Sequence, residues 1–196
     1  VRLPAALSPW AVVTHHPRPL RVRVASVLGC LAGGLAFFAV LLDLRWAPTR
    51  TAIPLGYASN FFDLQAQALL SGRLDVPEGS LGIEGFVIGE RTFMYFPPFP
   101  AIVRIPVFLI TDEFSGRLTV ASMGVAWLVF AVMTTRLLWL IGDLALGDQK
   151  PTRLEVATSG VFLALLTGGT VLTFNAALPW VYHEVYVWAI ATVVGA

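Results

Sequence analysis

The chain has few charged residues, one cysteine and almost no net charge, and each shortage excludes a class of protein. Charged residues make up 13% of its 196 residues, whereas soluble domains carry roughly 25%. Cys30 is the single cysteine, so neither an internal disulfide nor a cysteine-based metal site can form. A net charge of +1, without basic clustering, gives no reason to expect a nucleic-acid partner. The chain is instead 57% hydrophobic with a mean hydropathy of +0.76, which indicates a protein of the lipid bilayer.

Three apolar runs are long enough to cross about 30 Å of hydrocarbon, and they predict an all-α, polytopic membrane protein. They lie at 24–42, 119–141 and 156–178. The apolar tail 186–196 is about half as long as a crossing needs. We therefore expect a truncated fourth span, with 24–196 forming the N-terminal part of a longer membrane domain.

Basic residues beside the spans set the expected orientation, because cytoplasmic loops carry an excess of Lys and Arg. Arg18, Arg21 and Arg23 precede the first run, so we expect residues 1–23 to form a cytoplasmic segment. The connection 142–155 is then cytoplasmic too, and 43–118 is a large outer loop. The expected location is the plasma membrane of a bacterial cell.

The outer loop contains a predicted helix that ends at Gly72, with Ser59 or Asn60 as its cap. A polar stripe runs along this helix, and most of its other residues are apolar, as is typical of a helix lying in the membrane interface. Asn60, Asp63, Gln67 and Ser71 form the stripe. We expect the stripe to face water or lipid headgroups.

Two more elements are predicted in the outer loop. Residues 86–96 read as a hairpin that turns at Gly89 and Glu90, and Pro97 and Pro98 stop its second strand. The apolar stretch 101–110 is too short to span and predicts a second surface or re-entrant segment.

Carboxylates on this outer side are the candidate catalytic groups. Asp63 would accept a proton from an incoming hydroxyl, with Gln67 one turn away; a solvated helix face is the alternative. Asp43, at the outer end of the first span, is a second candidate or a simple polar end to that span. His183 and Glu184 open the next apolar segment, where ionisable residues are costly and point to function. No cofactor is certain, and a divalent cation held with Asp63 or Asp43 stays open.

Other side chains are suited to substrate. Arg73, Arg91 and Arg104 could bind the phosphate of a lipid carrier through paired guanidinium donors, or could serve as interface anchors. Tyr95 is a candidate sugar contact, or an ordinary headgroup-level aromatic.

The outer loop resembles that of the GT-C superfamily of multi-span glycosyltransferases. The resemblance rests on Asp63 in its interfacial helix, on the run Gln67 to Asp75 (QALLSGRLD), and on Arg91 to Pro98 (RTFMYFPP). The family has a Gly-Arg-x-Tyr-x-x-x-Pro-Pro-like stretch, where this chain has Glu90 before Arg91 and Phe93 at the usual tyrosine.

The resemblance implies an inverting transfer of sugar from a polyprenyl-phosphate donor to a hydroxyl of a glycan, lipid or protein acceptor at the outer face of the cell envelope. It implies that Asp63, or else Asp43, is the general base. The alternative is a non-enzymatic membrane protein, such as a transporter or scaffold subunit. Polar residues and broken helices near the midplane are typical of transporters, and the expected spans contain almost none.

Overall fold

The computed structural model describes residues 18–44, 59–146 and 149–196. Of the described residues, 68% are helical and 6% lie in strands, which confirms the predicted helical class. Within the described ranges the elements in chain order are α1 (Leu20–Leu41), α2 (Phe61–Leu70), β1 (Asp75–Val76), β2 (Gly85–Ile88), β3 (Arg91–Met94), α3 (Phe99–Phe108), α4 (Leu118–Leu146), α5 (Arg153–Gly168), α6 (Thr170–Ala176) and α7 (Val181–Gly195). Residues 1–17 of the predicted cytoplasmic segment and residues 45–58 of the predicted outer loop lie outside the described residues.

Three helical stretches are long and apolar enough to cross a membrane, as the sequence predicts. They are Leu20–Leu41, Leu118–Ala145 and Arg153–Ala176. The third consists of α5 and α6, which are separated at Gly169, where the backbone is extended with φ −100° and ψ 179°. Helix α7 begins at Val181, five residues before the predicted apolar tail.

Helices α1 and α5 pack through glycines rather than through large side chains. Gly29 and Gly33 of α1 are four residues apart and face Gly160 and Gly168 of α5. A Cβ on Gly33 would lie 2.7 Å from the Gly168 nitrogen, so only glycine fits at this contact. Small residues at this spacing let two backbones approach closely in apolar surroundings. This GxxxG pattern was not among the features predicted from the sequence.

The start of α1 and the α4–α5 connection lie at the same end of the bundle. Arg18 forms an ion pair of 2.6 Å with Asp143, and the Arg21 guanidinium donates to the Pro151 carbonyl. Helix α5 begins there with a capping box, in which Thr152 and the Glu155 at the third helical position exchange hydrogen bonds.

The opposite end carries a small layer made of α2, the sheet and α3, called the surface layer below. The predicted hairpin is confirmed by β2 and β3, and Gly89 at its turn has φ +64°. The sheet is larger than predicted, because β1 adds to β3 and gives the antiparallel order β1-β3-β2. An apolar cluster that includes Phe62, Phe96 and Val181 joins this layer to the start of α7.

Helix α2 is present as predicted, but its cap differs. Asn60 occupies the N-cap position without a side-chain hydrogen bond to the helix, so the predicted side-chain capping by Asn60 is wrong. Gly72 follows the helix with φ +69°, a left-handed conformation that glycine adopts at little cost. The stretch predicted at 101–110 forms α3, ten residues long and packed against α2.

Candidate active site

A buried cluster of charged side chains lies where the surface layer meets the helical bundle. Asp63 comes from α2, Arg104 from α3 and Glu184 from the first turn of α7. Their exposed fractions are 1%, 2% and 0%. Charged residues are almost never fully buried unless they are paired, so these contacts hold the three elements together.

Arg104 is the centre of the cluster. One of its terminal nitrogens donates to Asp63 Oδ1. The other donates to Glu184 Oε2 at 2.5 Å and to Thr119 Oγ1, at the start of α4, at 3.0 Å. The Thr119 hydroxyl in turn donates to the Ser59 carbonyl at 2.7 Å, just before α2. One guanidinium therefore links α2, α3, α4 and α7.

Asp63 is held on both of its oxygens. Oδ1 accepts from Arg104, and Oδ2 accepts from the Gly116 backbone N–H at 2.6 Å. Burial raises the pKa of the Asp63 carboxyl, while the charge of Arg104 and the Gly116 amide act in the opposite direction. The expectation that Asp63 faces water or headgroups is wrong, because the polar stripe of α2 turns this side chain towards Arg104 of α3.

Two atoms of the cluster have no hydrogen-bond partner among the described residues, namely Arg104 Nε and Glu184 Oε1. The three side chains carry one net negative charge when ionised, since two carboxylates face one guanidinium. Buried groups of this kind are usually satisfied. Burial raises the pKa of Glu184, while the charge of Arg104 and a hydrogen bond from the Ser122 side chain act in the opposite direction.

Arg104 is not open to a lipid phosphate, contrary to the expectation from the sequence. Its guanidinium lies 5.5 Å from the Phe62 ring centre on one side, and its terminal nitrogens are engaged by protein oxygens. Arg104, Glu184 and Asp63 were each predicted as candidate site residues, but their mutual contact was not predicted.

Asp43 and Gln67 lie outside this cluster of hydrogen bonds. Asp43 is exposed at the end of α1 with φ 51°. The Gln67 amide donates to the Ser115 hydroxyl at 3.3 Å, and its side chain is half-buried. Gln67 therefore touches the same connection, between α3 and α4, that supplies the Gly116 amide.

His183 lies beside two aromatic side chains. Its ring lies 6.0 Å from Phe174 and 6.5 Å from Trp180, measured between centroids. Burial lowers the pKa of His183. The neutral form is thereby favoured.

Arg73 and Arg91 remain at the surface, close to one carboxylate. The Arg73 guanidinium pairs with Asp75 at 2.5 Å, and its side chain is 55% exposed. A hydrogen bond from Arg73 lowers the pKa of Asp75, with the charge of Arg91 adding to the effect. These two arginines, unlike Arg104, are accessible to an anionic ligand.

Tyr95 is exposed and belongs to a second polar group that the sequence did not reveal. Its hydroxyl donates to Glu84 Oε2 at 2.5 Å and lies 2.9 Å from the Tyr182 hydroxyl. Glu84 and Tyr182 were not among the candidate residues.

Among the described residues, no group of three or more His, Cys, Asp or Glu side chains is placed to hold a metal ion. The pair of carboxylates at the buried cluster already shares a guanidinium. No protein-family model matches this chain, and no curated protein or solved structure matches it either.

Proposed function

We propose that α1, α4 and the α5–α6 pair cross a membrane and that the surface layer lies on its outer side. Each is long and apolar enough, and α1 exposes a row of large apolar side chains that is unusual on a soluble protein. The row consists of Val24, Val27, Leu28, Leu31 and Leu35, each 47% to 63% exposed. Arg18 and Arg21 lie at the end of the bundle away from the surface layer, which favours that end as cytoplasmic.

We propose that the protein is an inverting glycosyltransferase similar to the GT-C superfamily, with Asp63 as its general base. The observation that carries this proposal is the placement of Asp63, a buried carboxylate where the surface layer meets the ends of the membrane helices. A lipid-linked donor and a water-borne acceptor can meet at that depth. Burial raises the pKa of Asp63, and a base is most effective when its pKa lies near the working pH.

In the proposed reaction Asp63 takes the proton of the acceptor hydroxyl. The acceptor oxygen forms a new bond to the anomeric carbon, and the bond from that carbon to the phosphate oxygen breaks. The electron pair leaves with polyprenyl phosphate, and the configuration at the anomeric carbon inverts. Arg73 and Arg91 would hold the phosphate, because guanidinium groups form paired hydrogen bonds with phosphate oxygens.

The contacts of Asp63 define what must change for this reaction. Its Oδ2 accepts from the Gly116 amide, so the acceptor hydroxyl must replace that amide. Residues 109–117 connect α3 to α4 and include the exposed apolar side chains Leu109, Ile110 and Phe114. Displacement of this connection would open Oδ2 while Arg104 keeps hold of Oδ1.

A second candidate function is non-enzymatic, with the charged cluster as a structural joint of a transporter or scaffold subunit. The observation that favours it is the full occupation of Asp63, since each oxygen has a donor from the protein. A carboxylate bound in this way holds helices together without chemistry.

The test is transfer of sugar from a polyprenyl-phosphate donor by the full-length protein carrying Asp63→Asn. A positioned general base contributes about 10²–10⁴-fold in rate, so we expect a loss of that size with donor binding retained. Asp43→Asn is the matched control and should lose much less. Equal rates for wild type and Asp63→Asn, in a protein shown to be folded by its exchange pattern, would leave the structural joint as the function.

A further inference from the structure

A second cluster of polar and aromatic side chains lies on the surface layer, outside the buried charges. Glu84 ends the short 3-10 helix Gly82–Glu84, Tyr95 follows β3 and Tyr182 opens α7. Their hydroxyl and carboxylate groups meet, yet Tyr95 is 53% exposed and Tyr182 36% exposed. The polar ends are therefore held together, while about half of Tyr95 and about a third of Tyr182 stay exposed.

Phe96 fixes the two tyrosine rings from beneath. It is 7% exposed, stacks on Tyr95 at 4.2 Å between ring centroids, and meets Tyr182 edge-on at 4.9 Å. The Phe96 ring also lies 6.3 Å from the Phe62 ring, measured between centroids. Phe62 is the neighbour of Asp63 in α2. The exposed tyrosines are thus preorganised, and one buried ring separates them from the helix that carries the buried carboxylate.

The contacts of Glu84 favour its ionised form. Hydrogen bonds from Tyr182 and then Tyr95 lower the pKa of Glu84. An ionised carboxylate accepts stronger hydrogen bonds from hydroxyl groups than a neutral one does.

We propose that Tyr95, Tyr182 and Glu84 form a binding subsite for a pyranose ring. The C–H face of a pyranose is apolar and packs on the electron-rich face of an aromatic ring, while its hydroxyls require polar partners such as a carboxylate. Aromatic side chains combined with a few fixed polar groups are also the residue types that line ligand sites. The subsite deepens the proposed function, on which it rests, because both the lipid-linked donor and a glycan acceptor present such a ring.

A matched control lies on the same sheet. Phe86 and Phe93 stack at 5.8 Å between centroids, and Phe86 is 42% exposed. Neither side chain carries a polar atom. This pair offers an exposed aromatic surface without the hydroxyls and the carboxylate. It therefore distinguishes sugar recognition from non-specific binding to exposed aromatic rings.

The experiment is saturation-transfer NMR on the full-length protein in detergent micelles, with the methyl α-pyranosides of mannose, glucose and galactose as probes. We expect signal for at least one probe. Tyr95→Ala and Glu84→Gln should each weaken its apparent affinity by about tenfold, the effect of losing one aromatic contact or one charged hydrogen bond. Phe86→Ala should bind as wild type does. Absence of signal for all three probes, or equal losses for Tyr95→Ala and Phe86→Ala, would overturn the proposal.

Kinetics identify which substrate supplies the ring. Tyr95→Ala should raise the KM of either the donor or the acceptor while kcat stays within about twofold, as for a contact made equally in the ground and transition states. The two proposals fail separately. If Asp63→Asn transfers normally, the proposed base is lost while saccharide binding still tests the subsite; if Tyr95→Ala binds saccharide normally, the subsite is lost while Asp63 still stands.

Discussion

The helical bundle and the surface layer are held together in different ways. In the bundle, α1 meets α5 through Gly29, Gly33 and Gly160, and the adjoining core is built from apolar residues such as Phe37 and Trp127. Where the surface layer meets the bundle, one arginine between two carboxylates joins α2 and α3 to α4 and α7. Close backbone packing serves where the surroundings are apolar along the whole helix. A buried arginine shared by two carboxylates serves where short elements from distant parts of the chain must be fixed at one point.

The difference has an energetic consequence. A glycine contact fails by overpacking, which typically costs about 1–3 kcal/mol. A buried ion pair fails by leaving an uncompensated charge, which costs more than the pair itself contributes. The surface layer should therefore be the more sensitive region to a single substitution, even though the bundle is much larger.

The largest expected effect is that of Arg104→Met. This change leaves Asp63 and Glu184 buried without their cation, and loss of one partner of a buried pair costs about 3–5 kcal/mol. Amide hydrogen exchange should accelerate in α2 and α3 and stay unchanged in α1 and α5. Arg73→Met is the control, because the Arg73 side chain is 55% exposed and its ion pair with Asp75 is therefore largely screened by water. Equal exchange in the two variants would show that the cluster does not hold the layer.

Gly33→Leu tests the bundle in the same way. The new side chain would collide with Thr167 and Gly168 across the α1–α5 contact, and overpacking of this kind costs about 1–3 kcal/mol. Exchange should accelerate in α1 and α5 and remain unchanged in α2. Ala32→Leu adds similar bulk on the exposed side of α1 and should have little effect. If Gly33→Leu and Ala32→Leu have the same thermal stability, the glycine contact is not a determinant of packing.

Trp127→Phe should have a smaller effect within the bundle. Its indole N–H donates to the Thr167 carbonyl at 2.8 Å across α4 and α5, and a buried hydrogen bond of this kind contributes about 0.5–1.5 kcal/mol. The midpoint of thermal unfolding should fall, whereas Trp180→Phe, at a residue 40% exposed, should leave it nearly unchanged. A larger loss from Trp180→Phe would contradict this assignment.

The smallest effect is a pH dependence confined to the surface layer. The pKa of Glu84 in the folded protein lies below its ordinary value of 4.5, so its ionised form adds stability above that value. The contribution disappears as the pH falls through the folded-state pKa, because the folded protein then also binds the proton. Wild type should lose more stability than Glu84→Gln between pH 6 and pH 3, measured by exchange in the sheet. Identical slopes would show that the tyrosine contacts do not stabilise the carboxylate.

Much of the fold could be predicted because it depends on local pattern. The length of each apolar run predicts the three long helices, and Gly89 between two short apolar segments predicts the hairpin. Strand β1 could not be predicted in this way. Asp75–Val76 is only two residues long, and its pairing with β3 depends on how distant parts of the chain fold together. The glycine contact could have been predicted from the four-residue spacing of Gly29 and Gly33 in an apolar run.

The candidate site was predicted as a set of residues but not as a geometry. Periodicity places Asp63 on the polar stripe of α2, yet it does not say what lies opposite that stripe. The partner of Asp63 could have been inferred from the sequence. Arg104 and Glu184 each interrupt an apolar stretch, and ionisable residues in such settings tend to pair with one another. That rule, applied to both residues together, predicts the ion pair.

The spacing of the buried charges along the chain also sets an order of assembly. Asp63 and Arg104 are separated by 41 positions and Arg104 and Glu184 by 80. A ribosome makes the chain from its N-terminus and domains fold as their residues emerge, so Asp63 and Arg104 can meet while α7 does not yet exist. Glu184 can join the pair only after α7 has been synthesised. The surface layer is therefore completed only when α7 lies beside α4, which makes the placement of α7 the step that closes the charged cluster.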